Sequence, residues 1–435
     1  MRAKLTGLLV GVVVLALAST AIAVPYASGV AKSGDDVSFI LNQNAWSVQA
    51  VLDGGAQTLN LPTTAGQLTF NMAGYSSYQI VIRSYESSGW NQYVPDSFDR
   101  NFYTPIGVSI DKNPLSPNFG KVFVSNATSA TTAAGRNTPE GIYVLRADGV
   151  AAGFGTGGVT WGGTLGPGKS TIGPDGHLYV ADLSMDLCYE MSSDLQSATQ
   201  LIDASNKTAN QYVNSIIVEG TQAAGNRKIY LANGYYVNAR TGLISYDLGA
   251  NAKATTGDTG TQVIGQSAWS GFYPYDVARD SKGDWYMNTY RATAGQAPVI
   301  IKFNGAGTLP LDDDKIWEAS NQYTYPYGID INENAGLVAY AHYNNGYVYF
   351  FDMATGAFKE SFDAGTRGRE LAFDAAGNLV VVDSTVERAR FWSPGGAWET
   401  VYGSDGTFSV AQVPEPTTLS LLALGGLALV LRRRR

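Results

Sequence analysis

Cysteine and histidine are nearly absent from this chain, with one and two among 435 residues. The single Cys188 excludes an internal disulfide framework and any multi-cysteine metal site. His177 and His342 both fall inside strand-like segments, so a Ser-His-Asp triad has little to draw on. Cys188 sits beside Tyr189 with no base partner in sequence and reads as a small core residue rather than a nucleophile. Charge is sparse too, at 15% of residues, and positive charge is the scarcer sign. Six of the 29 basic residues (Arg2, Lys4 and Arg432 to Arg435) lie in terminal segments expected to be removed, which leaves 23 against 37 acidic groups, about −14. Such a surface repels nucleic acid and anionic lipid, and neither is expected as a partner.

Glycine and tyrosine are plentiful instead, at 50 and 26. Glycine turns between aromatic strands predict an all-β protein. The two ends stand apart from that body. Arg2 and Lys4 precede an apolar run from Leu8 to Ala18, followed by Ala21-Ile22-Ala23. That order reads as a signal peptide over residues 1–23, with an A-x-A cleavage site at Ala21 and Ala23, rather than as a retained membrane anchor, because the apolar run is short.

At the other end, Leu419 to Leu431 would make a helix of about 20 Å, against about 30 Å of bilayer hydrocarbon. A permanent span is therefore marginal. Four arginines follow it and would stay on the cytoplasmic side. Val413-Pro414-Glu415-Pro416, the short apolar stretch and the arginine stop together resemble the PEP-CTERM sorting signal, over residues 413–435. The resemblance implies export through the inner membrane and transient anchoring by this helix. It also implies processing by an exosortase-type transpeptidase, in a bacterium that sends proteins to an exopolysaccharide-rich surface or extracellular matrix.

Between the ends, residues 36–92 alternate polar and apolar positions, as in VSFILNQNAWSVQAVLDGGAQTLNL, with Asp53-Gly54-Gly55 as a hairpin turn. Four to six short strands at this spacing predict a small Ig-like β-sandwich. It is similar to the Ig-like modules of flagellar hook-capping proteins, a likeness that bears on fold alone.

A longer period follows over residues 104–410. TIGPDGHLYVADLS, DVARDSKGDWYMNTY, GIDINENAGLVAYAH and ELAFDAAGNLVVVDS each read as strand, Asp/Asn-Gly turn, then a strand ending in a small or polar residue. Looser copies begin at 107 and 215, so the six starts (107, 171, 215, 276, 328, 370) lie 42 to 64 residues apart. With a further strand pair such as 346–363, each unit holds four strands, the size of a propeller blade. Six blades are expected, with room for a seventh in the longest gaps. The pattern resembles NHL-repeat and gluconolactonase-like β-propellers, a fold that hosts binding, scaffolding and catalysis alike.

Propeller ligands usually sit at the channel mouth, where the inner strands begin. Tyr273, Tyr275, Asp276, Tyr325, Tyr327, Arg369 and Glu370 lie at those starts, with Tyr103 and Tyr212 nearby. Tyrosine faces with Asp, Arg and Glu among them are suited to stack on sugar rings and bond hydroxyls. The gluconolactonase resemblance implies a divalent cation held by a Glu, an Asn and an Asp. Asn214, Asp276 and Glu370 are of the right type, and Ca²⁺ is the ion such oxygens suit. The family's Pro-Asn-Gly segment is Pro-Tyr-Gly here, at 326 to 328, so one implied ligand is missing. Asp312-Asp313-Asp314 lacks the spacing of a calcium loop and reads as a solvated turn. The leading expectation is a non-enzymatic surface or matrix protein that binds extracellular polysaccharide or a protein partner and requires no cofactor. Its alternative is a metal-dependent envelope hydrolase or lactonase.

Overall fold

The computed structural model describes residues 24–207, 211–234, 240–269, 272–290, 298–319 and 324–413. The cleavage site at Ala21 and Ala23 and the sorting residues Pro414, Glu415 and Pro416 lie outside them; Val413 is the last described position. The described residues form strands and single 3-10 turns, and none of their helices is long and apolar enough to cross a membrane.

Five antiparallel four-stranded sheets follow one another along the chain. Their innermost strands are Pro105–Ile110, Ser170–Ile172, Val213–Glu219, Pro274–Arg279 and Pro326–Asn332. Each continues outward by hairpins, as alternating short strands with Gly-rich turns do. The sixth blade is different. Gly368–Phe373, Leu379–Asp383 and the first half of Arg388–Gly403 supply three strands, and Tyr78–Val94 supplies the fourth, with Phe391 opposite Val94. An N-terminal strand thus closes the ring.

The packing fixes the blade number at six. Each pair of neighbouring blades encloses its own apolar cluster. Val108, Val124, Val380 and Phe391 join the sixth blade to the first, and Phe123, Ile142 and Val180 join the first to the second. Four further clusters fill the remaining interfaces and complete the circle.

A two-layer β-sandwich sits against this ring. One layer is Ala27–Ser33, Asp36–Leu41 and Gly66–Asn71. The other is Gln57–Asn60, Ser47–Leu52, the first half of Tyr78–Val94, the second half of Arg388–Gly403, and Phe408–Gln412. Val37, Phe39 and Leu41 face Val48, Ala50 and Leu52 across the interior, as their alternation dictates. The sheet order crosses the sequence boundaries of 36–92 and 104–410. The sandwich takes in residues 27–33 before the first and 397–412 at the end of the second, and 78–94 serve both units. A register break between Pro394 and Gly396 marks where the two long strands pass from blade to sandwich.

Candidate functional site

Five of the six inner strands carry a register shift just after their first residue, between Pro105/Gly107, Val213/Ser215, Pro274/Val277, Pro326/Ile329 and Gly368/Glu370. A bulge re-aims the side chain at that point. It does so here for Asn214 and Asp276, and Glu370 follows directly on the bulge at Arg369; these are the three residues for which a metal role was expected. A polar residue at or next to the end of the second strand holds the backbone at, or just before, several of these bends. Asn288 Oδ1 accepts from the N–H of Asp276 at 2.8 Å, Asn126 Oδ1 from Thr104 at 2.9 Å, and Asp383 Oδ2 from Thr366 and Arg367 at 2.6 and 2.7 Å. The repeat's terminal Asn or Asp is thereby accounted for as a backbone clamp.

Asp276 and Glu370 do converge, but on Lys169, a residue absent from the sequence reading. The Lys169 ammonium lies 2.9 Å from Asp276 Oδ2, bonds Glu370 Oε2, and donates to the Tyr327 carbonyl at 3.2 Å. All three side chains are almost fully buried, at 3%, 6% and 5% exposure. Burial alone would discharge the amine, yet Asp276 and Glu370 outweigh it and hold its proton more tightly than usual. Burial and the neighbouring Asp276 push the Glu370 carboxyl well up, against the pull of Lys169. Asn214 does not join them. Its Nδ2 donates to the carbonyls of Gly234 and, at 3.1 Å, Pro274. The donor set therefore does not fit a divalent cation: two of its carboxylates already surround a resident ammonium, and the third side chain braces backbone. Gly328 follows from the same crowding. A Cβ there would meet Glu370 Oε1 at 2.2 Å, so the Pro-Tyr-Gly segment needs its glycine for close approach.

Three of the expected tyrosines, Tyr273, Tyr275 and Tyr327, cluster on the mouth side of this triad. Tyr273 stacks on Tyr290 at 4.9 Å, Tyr290 on Tyr275 at 4.8 Å, and Tyr327 on Tyr343 at 4.7 Å. The Tyr275 hydroxyl donates to that of Tyr327 at 2.8 Å, and Arg369 Nη1 donates to the same oxygen at 3.0 Å. The Arg369 guanidinium also lies over Tyr327 and Tyr343, 5.2 and 4.8 Å from their centroids. Tyr275 and Tyr327 are 5% and 4% exposed, so their faces are spent on one another. Tyr325 turns aside at φ 50°, its ring 6.0 Å from that of His342.

Open space lies on the other side of Lys169. A cavity of about 800 Å³ runs from Lys169, Asp276 and Glu370 to the far ends of the inner strands, with Asp111, Glu333, Asp374 and Phe408 of the sandwich among its lining residues. Ser109 and Ser170 meet on its wall at 3.0 Å, and Lys112 bonds Asp330 at 2.9 Å. Acidic side chains outnumber basic ones around it.

The remaining chemistry-bearing residues have structural partners. His342 accepts from the N–H groups of Asn344 and Asn345 at 3.0 and 3.2 Å, and burial lowers its pKa to about 4. Cys188 is buried and its thiol is pushed up. Asp312 accepts from Gly265 and Ser267. Asp175, His177 and Glu190 cluster within 4.8 Å, but Glu190 also binds Arg227 and Asp175 accepts from the Tyr179 hydroxyl at 2.8 Å.

Residues 412–435 match the PEP-CTERM protein-sorting motif. No curated protein matches the chain. Among solved structures it is similar to the PQQ-bound aldose sugar dehydrogenase of Streptomyces coelicolor (15% identity, TM-score 0.46, covering 71% of this chain and 99% of that one). It is also similar to a gluconolactonase of Xanthomonas campestris (12% identity, TM-score 0.44, 72% and 88%). A third is the WD40 propeller domain of Doa1 (11% identity, TM-score 0.42, 86% and 95%). This chain is an all-β propeller protein with a PEP-CTERM sorting signal at its C-terminus, and that signal marks it as exported.

Proposed function

We propose that the protein is a non-enzymatic component of the cell surface or extracellular matrix, sorted by an exosortase-type transpeptidase, and that it binds a neutral, hydroxyl-rich ligand such as a segment of exopolysaccharide. The observation that carries this reading is the Lys169 ammonium between Asp276 and Glu370. A lysine there supplies neither the Lewis acid nor the activated water of a metal lactonase. What remains is a wide polar cleft with fixed hydroxyls and carboxylates, suited to hold a polar chain by many weak bonds.

The cleft on the far side of Lys169 is the binding surface in this reading, and the tyrosine cluster is its support. Calorimetric titration of the exported protein with envelope polysaccharides tests it. Binding that weakens at least about tenfold in Asn334→Trp, which narrows the cleft, supports the reading. Binding that survives this change but is lost in Tyr273→Ala would move the site back to the mouth. A Ca²⁺-induced rise in melting temperature that disappears in Glu370→Gln would overturn it in favour of the metal enzyme.

A further inference from the structure

Val24 is the residue that follows Ala21-Ile22-Ala23, and it is fully buried in the sandwich core. Its nitrogen faces two acceptors, Ser393 Oγ at 2.7 Å and Asn378 Oδ1 at 3.1 Å. Its carbonyl accepts from Asn378 Nδ2 at 3.0 Å and Asn42 Nδ2 at 3.4 Å. A peptide nitrogen has one proton to divide between two such acceptors, whereas an ammonium has three. The next residues are stitched in as well: the Thr400 hydroxyl donates to the Pro25 carbonyl at 2.7 Å, and the Tyr26 N–H to Asn42 Oδ1 at 2.8 Å. Ser393 and Thr400 belong to the long strand shared by sandwich and propeller, so the start of the chain is seated at their junction.

Asp374 lies one side chain away. Asn378 Nδ2 bonds its Oδ2 at 2.8 Å, and the N–H groups of Ala376 and Asn378 bond its Oδ1 at 2.9 and 2.8 Å. With the Tyr26 hydroxyl these are its partners among the described residues, and no cation is among them. A buried carboxylate without a counter-charge is costly, and burial pushes this one up to about 6.

We propose that cleavage after Ala23 creates an α-ammonium at Val24 that occupies this socket, serves Ser393 and Asn378 together, and is the counter-charge of Asp374 through Asn378. Cleavage takes place at the membrane, before the chain folds, so the burial of Val24 is no obstacle to it. Removal of the signal then does more than release the protein. It produces the charged group that fastens the N-terminal segment between sandwich and propeller, and a chain with residues still attached in front of Val24 lacks that fastening.

The test uses the full precursor, exported and processed in a host with its own signal peptidase, beside a precursor with Gly-Ser inserted between Ala23 and Val24. Intact mass is expected to place the wild-type N-terminus at Val24. Amine-selective labelling near neutral pH is then expected to be at least about tenfold slower at Val24 in the folded chain than in the same chain unfolded by urea, because a buried group reacts only on opening. Asp374→Asn is expected to lower the melting temperature more in the Val24 chain than in the Gly-Ser chain, where there is no charge coupling to lose. A mature N-terminus elsewhere, an α-amine that labels in the folded chain as fast as in urea, or equal penalties for Asp374→Asn in both chains overturns the proposal.

Discussion

Replacing Lys169 by methionine is the most direct probe of the channel. The ammonium lies between Asp276 and Glu370, and none of the three side chains exceeds 6% exposure. Methionine fills much of the same volume but supplies no charge, so the two acidic side chains, 6% and 5% exposed at the inner end of the cavity, lose their counter-charge. Removing one member of a buried ionic group costs about 3–5 kcal/mol, mostly for the charge left behind. The cavity supplies an internal control. Lys112 and Asp330 pair at a similar 2.9 Å, but the lysine is 41% exposed, and such pairs contribute about 0–1 kcal/mol. Urea unfolding of Lys169→Met and Lys112→Met therefore separates burial from mere ion pairing, with the first expected to lose several times more stability. Adding Glu370→Gln to Lys169→Met is expected to recover part of the loss, since one of the stranded charges is then gone. Lys169→Ala leaves room and two carboxylates, so Ca²⁺ is expected to raise the melting temperature of that variant but not of the wild type. If Lys169→Met costs no more than Lys112→Met, the triad does not carry the electrostatic weight assigned to it, and the case against a metal at this position falls with it.

Two further outcomes follow from the same region. Gly328→Ala places a methyl 2.2 Å from Glu370 Oε1 and 2.6 Å from its Cα; overpacking of this kind costs about 1–3 kcal/mol, and urea unfolding with no measurable loss would refute the close approach. His342 has a folded pKa of about 4 against an unfolded value of 6.5, so its contribution is complete above pH 6.5 and is lost as pH falls toward 4. Discounted for its solvent contact, that is about 1–2 kcal/mol. His342→Gln is expected to flatten this limb of a stability–pH curve, and an unchanged limb would assign the acid sensitivity to other groups.

The strand pairs read at 171–184, 276–290, 328–342 and 370–384 match the two inner strands of four blades, because hairpins are built from neighbouring residues and their turn chemistry is local. Ring closure is not local. The outer strand of the sixth blade comes from Tyr78–Val94, and its partner Arg388–Gly403 lies some three hundred residues further along the chain. Both strands run on from blade to sandwich as single strands, through Ser87-Ser88-Gly89 in one and Pro394-Gly395-Gly396 in the other, so the border between the units falls inside a strand and not in a linker. The site divides in the same way. Asp276 and Glu370 were legible because both follow the first residues of equivalent inner strands. Lys169 was not: it stands in the Gly-Pro-Gly-Lys segment 166–169, and what makes it central is a reach across the ring to two other blades. The tyrosines are a subtler case. Their sequence positions were read as facing a ligand, yet a planar ring beside other planar rings is satisfied by stacking on them. Tyr275 and Tyr327 illustrate the consequence, with hydroxyls bonded to each other and rings 4.2 Å apart. A cluster of aromatic residues at a channel mouth thus serves as a binding surface only where geometry leaves their faces free. Here Tyr275 and Tyr327 spend theirs on each other beside Lys169, and the cavity of about 800 Å³ lies on the other side of that lysine, along the inner strands.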